Sequence, residues 1–427
     1  MSPIHRKVAV ALTVAALALT GCGSSSGGSA AGGKVTLTVA TFNEFGYESL
    51  YPEYMKAHPN VKIVAKKAAT SQAARDNMNT RLAANSGLAD IEAVETDWLP
   101  DLMKVSSKFV DLNTSDVKGR WLSWKTKEAT TPSGQLLGYG TDSGPEAVCY
   151  RSDLFKKAGL PSDRESVAKL LNGSWDNYFQ VGRQFVAKSG GVAWFDSADA
   201  VFIARLNQMP NPFSSSSTEE KLIPLDQNAP VKDLYTSTLK AGVDDKLSAR
   251  LAQWSQDWTN AFQKEKFATM LCPAWLMGPI EGNSSGVKGW DIANVFPGGG
   301  GNWGGSYLTV PKMGKNTDEA RKLAAWLTAP EQQIKAFKAK GNFPSQVKAL
   351  DSSELTSSTN AFFNNAPTGK IFAERAKAVT VMPFKGPHYF AVTTAVNDAI
   401  NRVEVDKSAT VTASWAKAVE EVKGLSD

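Results

Sequence analysis

The sequence predicts an α/β protein of two lobes, and three observations predict it. Between residues 34 and 98, stretches with apolar residues at every second position alternate with stretches where they recur four apart. That alternation marks strands interleaved with amphipathic helices, the pattern of a parallel sheet covered on both faces. Residues 34–427 are also more chain than one hydrophobic core normally supports. Glycine-rich and aromatic segments near 138–142 and 297–307 flank strands, as suits a joint that absorbs backbone rotation.

The first residues read as export machinery rather than fold. Arg6 and Lys7 precede an apolar run from Val8 to Leu19, too short to cross a bilayer, so residues 1–21 are expected to be a signal peptide. Leu19-Thr20-Gly21-Cys22 resembles the lipobox of bacterial lipoproteins, in which cleavage exposes the Cys and its thiol is acylated. Residues 22–33 would then be the lipidated Cys22 and a Gly/Ser-rich flexible tether to the cell membrane. The alternative, a plain secretory signal, normally ends in an Ala-x-Ala-like site that this segment lacks.

Beyond the tether, Val35 to Val39 alternate as a strand, which ends at Phe42-Asn43-Glu44. A helix through Tyr54 and Met55 leads to a second strand at Val61 to Val64. Ala74, Met78 and Leu82 then form a helix face, with Gly87 as its stop. The apolar stretch Ala89 to Val94 closes at Glu95-Thr96-Asp97-Trp98. Ligands of such sheets bind outside the carboxyl ends of strands, so Phe42, Asn43, Glu44, Asp97 and Trp98 are candidate ligand contacts.

Further along, Gly138 to Asp142 precede an apolar strand from Ala147 to Tyr150. Ser162 with Glu165, and then Ser174, are expected to cap helices. Ala268 to Leu271 is a short strand, and Ser306 to Val310 another. Asn316 with Glu319 caps a helix presenting Ala320, Leu323, Ala324 and Leu327, interrupted at Pro330 and stopped by Gly341.

Loss of Arg6 and Lys7 with the signal leaves 45 basic against 42 acidic residues, too even a balance for a nucleic-acid partner. Two His and two Cys remain, too few for the familiar metal sites or triads, and neither metal nor cofactor is expected. Outside the cytoplasm, Cys149 and Cys272 are expected to form a disulfide. Gly282 to Gly286 fits G-x-S-x-G, but no strand leads into it. Gly299 to Gly304 fits G-x-G-x-x-G, but it precedes a strand rather than opening a helix.

Three runs, Gly134 to Leu160, Ala268 to Met277 and Gly304 to Ala329, together resemble the family-one extracellular solute-binding proteins of ABC importers. Within it, Asn85 to Asp90, Cys149 to Phe155 and Cys272 to Trp275 are most similar to actinobacterial lipoproteins that capture cellobiose and related oligosaccharides. The family usually has Tyr-Asn where this chain has Tyr150-Arg151, which removes one expected contact. The resemblance implies the type II periplasmic-binding-protein architecture, two α/β lobes closing on a sugar. It implies crossings near Gly138 to Asp142 and Trp303 to Tyr307, with residues 34–138 plus 306–345 as one lobe and 139–305 plus 346–427 as the other. It also implies an oligosaccharide ligand, permease and ATPase partners in the membrane, and a monomer.

A sugar ring has an apolar face and a rim of hydroxyls, so it calls for flat aromatic platforms and carboxylate acceptors. Among the twelve Trp, Trp275 matches the family's stacking position, and Trp303 and Trp194 lie in polar or glycine-rich contexts. Trp254 and Trp258 read as helix packing. Asp142 joins Asp97 as a hydroxyl acceptor, and Asp196 either binds ligand or caps the next helix. Tyr139 offers a ring or a hydroxyl, or else packs in the core. A secreted glycoside hydrolase, whose sites also combine aromatic rings with two carboxylates, is the competing expectation.

Overall fold

A computed structural model describes residues 34–215, 221–386 and 388–425. The expected signal peptide, Cys22 and the tether lie outside the described residues. The strands are β1 (Val35–Phe42), β2 (Val61–Ala68), β3 (Ile91–Glu95), β4 (Gly138–Gly140), β5 (Asp142–Ser143), β6 (Glu146–Arg151), β7 (Ala193–Phe195), β8 (Phe267–Pro273), β9 (Trp290–Ala293), β10 (Ser306–Thr309) and β11 (Phe343–Pro344).

The first lobe is built on a sheet ordered β2-β1-β3-β10-β4. β2 and β3 run parallel to β1, whereas β10 is antiparallel to β3 and to β4. Along β1, Leu37 and Val39 are fully buried while Thr36 is exposed, the alternation that fixes which face meets the core. The helix Ser71–Ala83 buries Met78 and Leu82, and the Thr70 side chain caps it by accepting from Ala73 N–H. The helix Thr317–Leu327 buries the four residues expected of it.

The second lobe is built on a sheet ordered β7-β8-β6-β9. Its central strand β6 is buried at every residue, because both faces are covered: Val148 and Tyr150 join one apolar cluster, Ala147 and Cys149 another. β6 and β8 are antiparallel neighbours, and a disulfide joins Cys149 to Cys272 across them with 5.6 Å between Cα atoms. Two capping expectations change. The helix Arg164–Leu171 is capped by Asp163, which accepts from Ser166 N–H at 2.9 Å, not by Ser162. Asn316 precedes its helix without a side-chain cap bond.

Three backbone segments pass between the lobes side by side. Residues 140–146 lead out of β4 through β5 into β6, residues 302–306 return into β10, and β11 pairs antiparallel with β5. Thr141 N–H donates to Ser306 O at 2.9 Å, and Trp303 N–H to Gly144 O at 2.8 Å. Gly144 is required there, since a Cβ would lie 1.8 Å from the Trp303 carbonyl oxygen. Tyr139, expected where the second lobe begins, lies in the first lobe's sheet. The helix Pro330–Lys340 spans both lobes' interests, giving Ala336 to the first core and Ile334 and Phe337 to the second.

Candidate functional site

The ends of β1 and β3 open onto a cleft between the lobes with a volume of about 1130 Å³. Seven of the residues singled out in the sequence line it: Phe42, Asn43, Glu44, Asp97, Asp142, Trp275 and Trp303. They come from both sheets and from the crossing segments, so the lobes' relative position assembles the site.

The second lobe contributes an aromatic wall. Trp275 follows β8 directly, and its Nε1–H donates to the Trp303 carbonyl at 2.9 Å, which fixes the indole. The two rings meet edge to face, with centroids 5.5 Å apart. Trp254 continues this wall, near parallel to Trp275 at 6.0 Å. Opposite, Phe42, Phe45 and Tyr47 form a chain of ring contacts on the first lobe.

Carboxylates supply the polar side. Asp142 Oδ1 accepts from Thr141 Oγ1 at 2.7 Å and from Ser306 N–H at 2.9 Å, anchoring it at the crossing. Asp97 pairs with Lys385 at 2.5 Å. Against the cost of burial, Asp97 and Glu128 hold the Lys385 ammonium above its ordinary pKa. Glu95, beside Asp97, is pushed up to about 7 by burial and then by that neighbouring negative charge. Glu44 stands at the rim between Lys67 and Lys340, and hydrogen bonds from both lysines lower its pKa. Behind the floor, Lys125 is fully buried over the Tyr307 ring at 3.8 Å, and burial lowers its amine to about 8.

Four of the expected residues lie elsewhere. Trp98 is buried against Phe42 in the first core, one layer behind the cleft wall. Tyr139 stacks on Trp121 and its hydroxyl donates to Leu112 O at 3.0 Å, which satisfies it inside the core. Trp194 is enclosed by Phe155, Tyr178 and Phe185 in the second core. Asp196 neither caps the helix Ala198–Leu206 nor reaches the cleft; it accepts from Trp258 Nε1–H at 2.8 Å and Gln253 Nε2 at 3.2 Å. Tyr139 and Trp194 sit in short strands buried on both faces, Trp98 in the 3-10 turn after β3 and Asp196 just beyond β7, so residue type and nearness to a strand end do not separate a cleft side chain from a core one.

The sequence reading missed Glu95, Trp254, Lys125 and Lys385. Glu95 is the last residue of β3, two before the candidate Asp97, and reads as part of the strand. Trp254 was hidden by its helical spacing from Trp258, and nothing local marks the two lysines. Among the described residues, no group of three His, Cys, Asp or Glu is placed to hold a metal ion.

The sequence profile of a family described as bacterial extracellular solute-binding proteins matches residues 49–364. A solved structure of an extracellular solute-binding protein of family 1 is 48% identical, covers 92% of this chain and 100% of its own, and superposes with a TM-score of 0.85. The arabinooligosaccharide-binding protein of Bacillus subtilis (strain 168) is 26% identical over 342 residues, 76% of either chain. The transporter-associated binding protein of B. animalis subsp. lactis Bl-04, solved with β-1,6-galactobiose, shares the fold at 18% identity. Its TM-score is 0.74, with 92% of this chain and 97% of that one covered.

Proposed function

The chain belongs to the bacterial extracellular solute-binding proteins, and we propose that it captures an oligosaccharide between its lobes and delivers it to an ABC permease. The observation that carries this reading is that an indole wall from the second lobe shares one cleft with the carboxylates of Asp97 on the first lobe and of Asp142 on the crossing segment. Indoles match the C–H face of a pyranose, and Asp142 and Asp97 suit its hydroxyls. A relative named for arabinooligosaccharides supports the ligand class.

Cellobiose and longer cello-oligosaccharides are the first sugars to test, on the resemblance carried by the segments around Cys149 and Cys272. Acylation at Cys22 would keep the binding protein at the outer face of the membrane, beside its permease. Closure favours transport because the sugar contacts both lobes only when they meet, so it binds the closed state better.

One feature favours a second reading. Burial, and then the charge of Asp97, push the Glu95 carboxyl up to about 7, and a raised carboxyl paired with a second carboxylate is how a glycosidase is arranged. Incubation with cellobiose and cellotriose separates the two. Capture raises the melting temperature and returns the sugar intact; release of glucose would establish hydrolysis.

A further inference from the structure

Trp254 is the exposed member of the aromatic wall, with 55% of its surface open, where large apolar side chains are normally covered. Its backbone is left-handed, with φ of 69°, a conformation that bulky side chains rarely take. It sits just before Ser255, which caps the helix Gln256–Ala261 by accepting from Trp258 N–H. The indole leans on Trp258, with centroids 5.0 Å apart, and on Trp275, whose plane is inclined to it by 24°. Trp258, in the helix that follows, is buried, whereas the left-handed backbone at Trp254 accompanies a ring presented on the cleft.

We infer that Trp254 is an outer stacking platform, extending the wall from Trp275 toward solvent and taking an additional ring of a linear oligosaccharide of three or more sugars. The inference rests on the oligosaccharide reading above and deepens it. Trp254 stacks on Trp275 with centroids 6.0 Å apart and lines the same cleft with more of its surface open, so the aromatic surface continues from Trp275 toward solvent. The cleft's volume of about 1130 Å³ exceeds what small ligands usually occupy, leaving room beyond an inner disaccharide. Trp275 is locked by its bond to Trp303, so it serves the inner position. Trp254 decides how much of a longer chain is also held.

The test is calorimetric titration of the full-length chain and of Trp254→Ala and Trp254→Phe with matched di- and trisaccharides of the cello-, malto-, arabino- and galacto-series. The wild-type chain is expected to bind the trisaccharide of its preferred series at least about fivefold more tightly than the disaccharide. Trp254→Ala should weaken the trisaccharide at least about fivefold more than the disaccharide, erasing that preference, and Trp254→Phe should restore most of it. Equal weakening of both lengths in Trp254→Ala, or no change in either, overturns the outer platform while the capture reading stands. Wild-type protein that binds no series overturns both.

Discussion

Trp275 and Glu95 are the residues on which the site's chemistry turns. The Trp275 indole is held by a hydrogen bond to the Trp303 carbonyl, so the stacking surface is ready before a sugar arrives. Trp275→Ala is expected to weaken sugar binding by about tenfold or more, read by calorimetry, with little change in unfolding midpoint because the ring is only partly buried. Glu95 carries a proton in the folded chain up to about pH 7, whereas an unfolded glutamate releases it near 4.5. Its folded pKa is raised, so its contribution to stability is present at low pH and is lost as pH rises toward 7. Glu95→Gln should remove that part of the pH dependence, measured by denaturant unfolding between pH 5 and pH 8. Asp142, Trp275 and Trp303 were readable in the sequence because strand ends and glycine-rich crossings narrow the choice. Trp194 and Tyr139 were not, since nothing local tells that β4 and β7 are covered on both faces. Lys385 and Lys125 owe their roles to partners remote in sequence, which no spacing rule reaches.

Two connections between elements carry the architecture. The disulfide between Cys149 and Cys272 closes a loop of 123 residues on adjacent strands of one sheet. Replacing both by Ala should lower stability by roughly 2–5 kcal/mol, measured by chemical unfolding, since it frees that loop in the unfolded chain. The other connection is ionic. Phe384 N–H bonds to Pro210 O and Tyr389 lies in the second core, so Lys385 belongs to the second lobe. Its ammonium nevertheless meets Asp97 of the first lobe at 2.5 Å and approaches Glu128 at 3.9 Å. Nearby, Arg75 from the first lobe lies over the Phe390 ring at 4.3 Å. These contacts bridge the lobes beside the cleft, and opening must break them. Lys385→Met and Asp97→Asn should each lower the melting temperature, and the double variant should lose less than the sum, with a coupling of about 1 kcal/mol or more. Additive losses would show that the pair does not act as a unit.

For the molecule as a whole, the interleaving of strands and helices over residues 34–98 predicted the parallel β2-β1-β3 part of the first sheet, and chain length predicted two bodies; the antiparallel pairings of β10 with β3 and of β6 with β8 and β9 join segments remote in sequence, which that pattern does not reach. What the sequence left open was the ownership of the joint. Residues 138–140 complete the first lobe's sheet, and the helix Pro330–Lys340 feeds both cores, because a hinge built from three adjacent segments has to be shared. The second lobe also stores unusual acids: burial lifts Glu404 to about 8 and Asp196 to about 6. Both are raised in the folded state, so overall stability should fall as pH rises from about 5 to 8. Glu404→Gln, which keeps an oxygen for the Ala198 N–H, should flatten that fall.

The central claim is that two lobes swing together on a sugar held between them. Small-angle X-ray scattering of the full-length chain, titrated with the oligosaccharide it binds best, tests this most directly. A saturable decrease in radius of gyration that follows the binding curve, and that Trp275→Ala shifts to higher sugar concentration, is the predicted result. Binding of the sugar with an unchanged scattering profile, fully open or fully closed throughout, would contradict it.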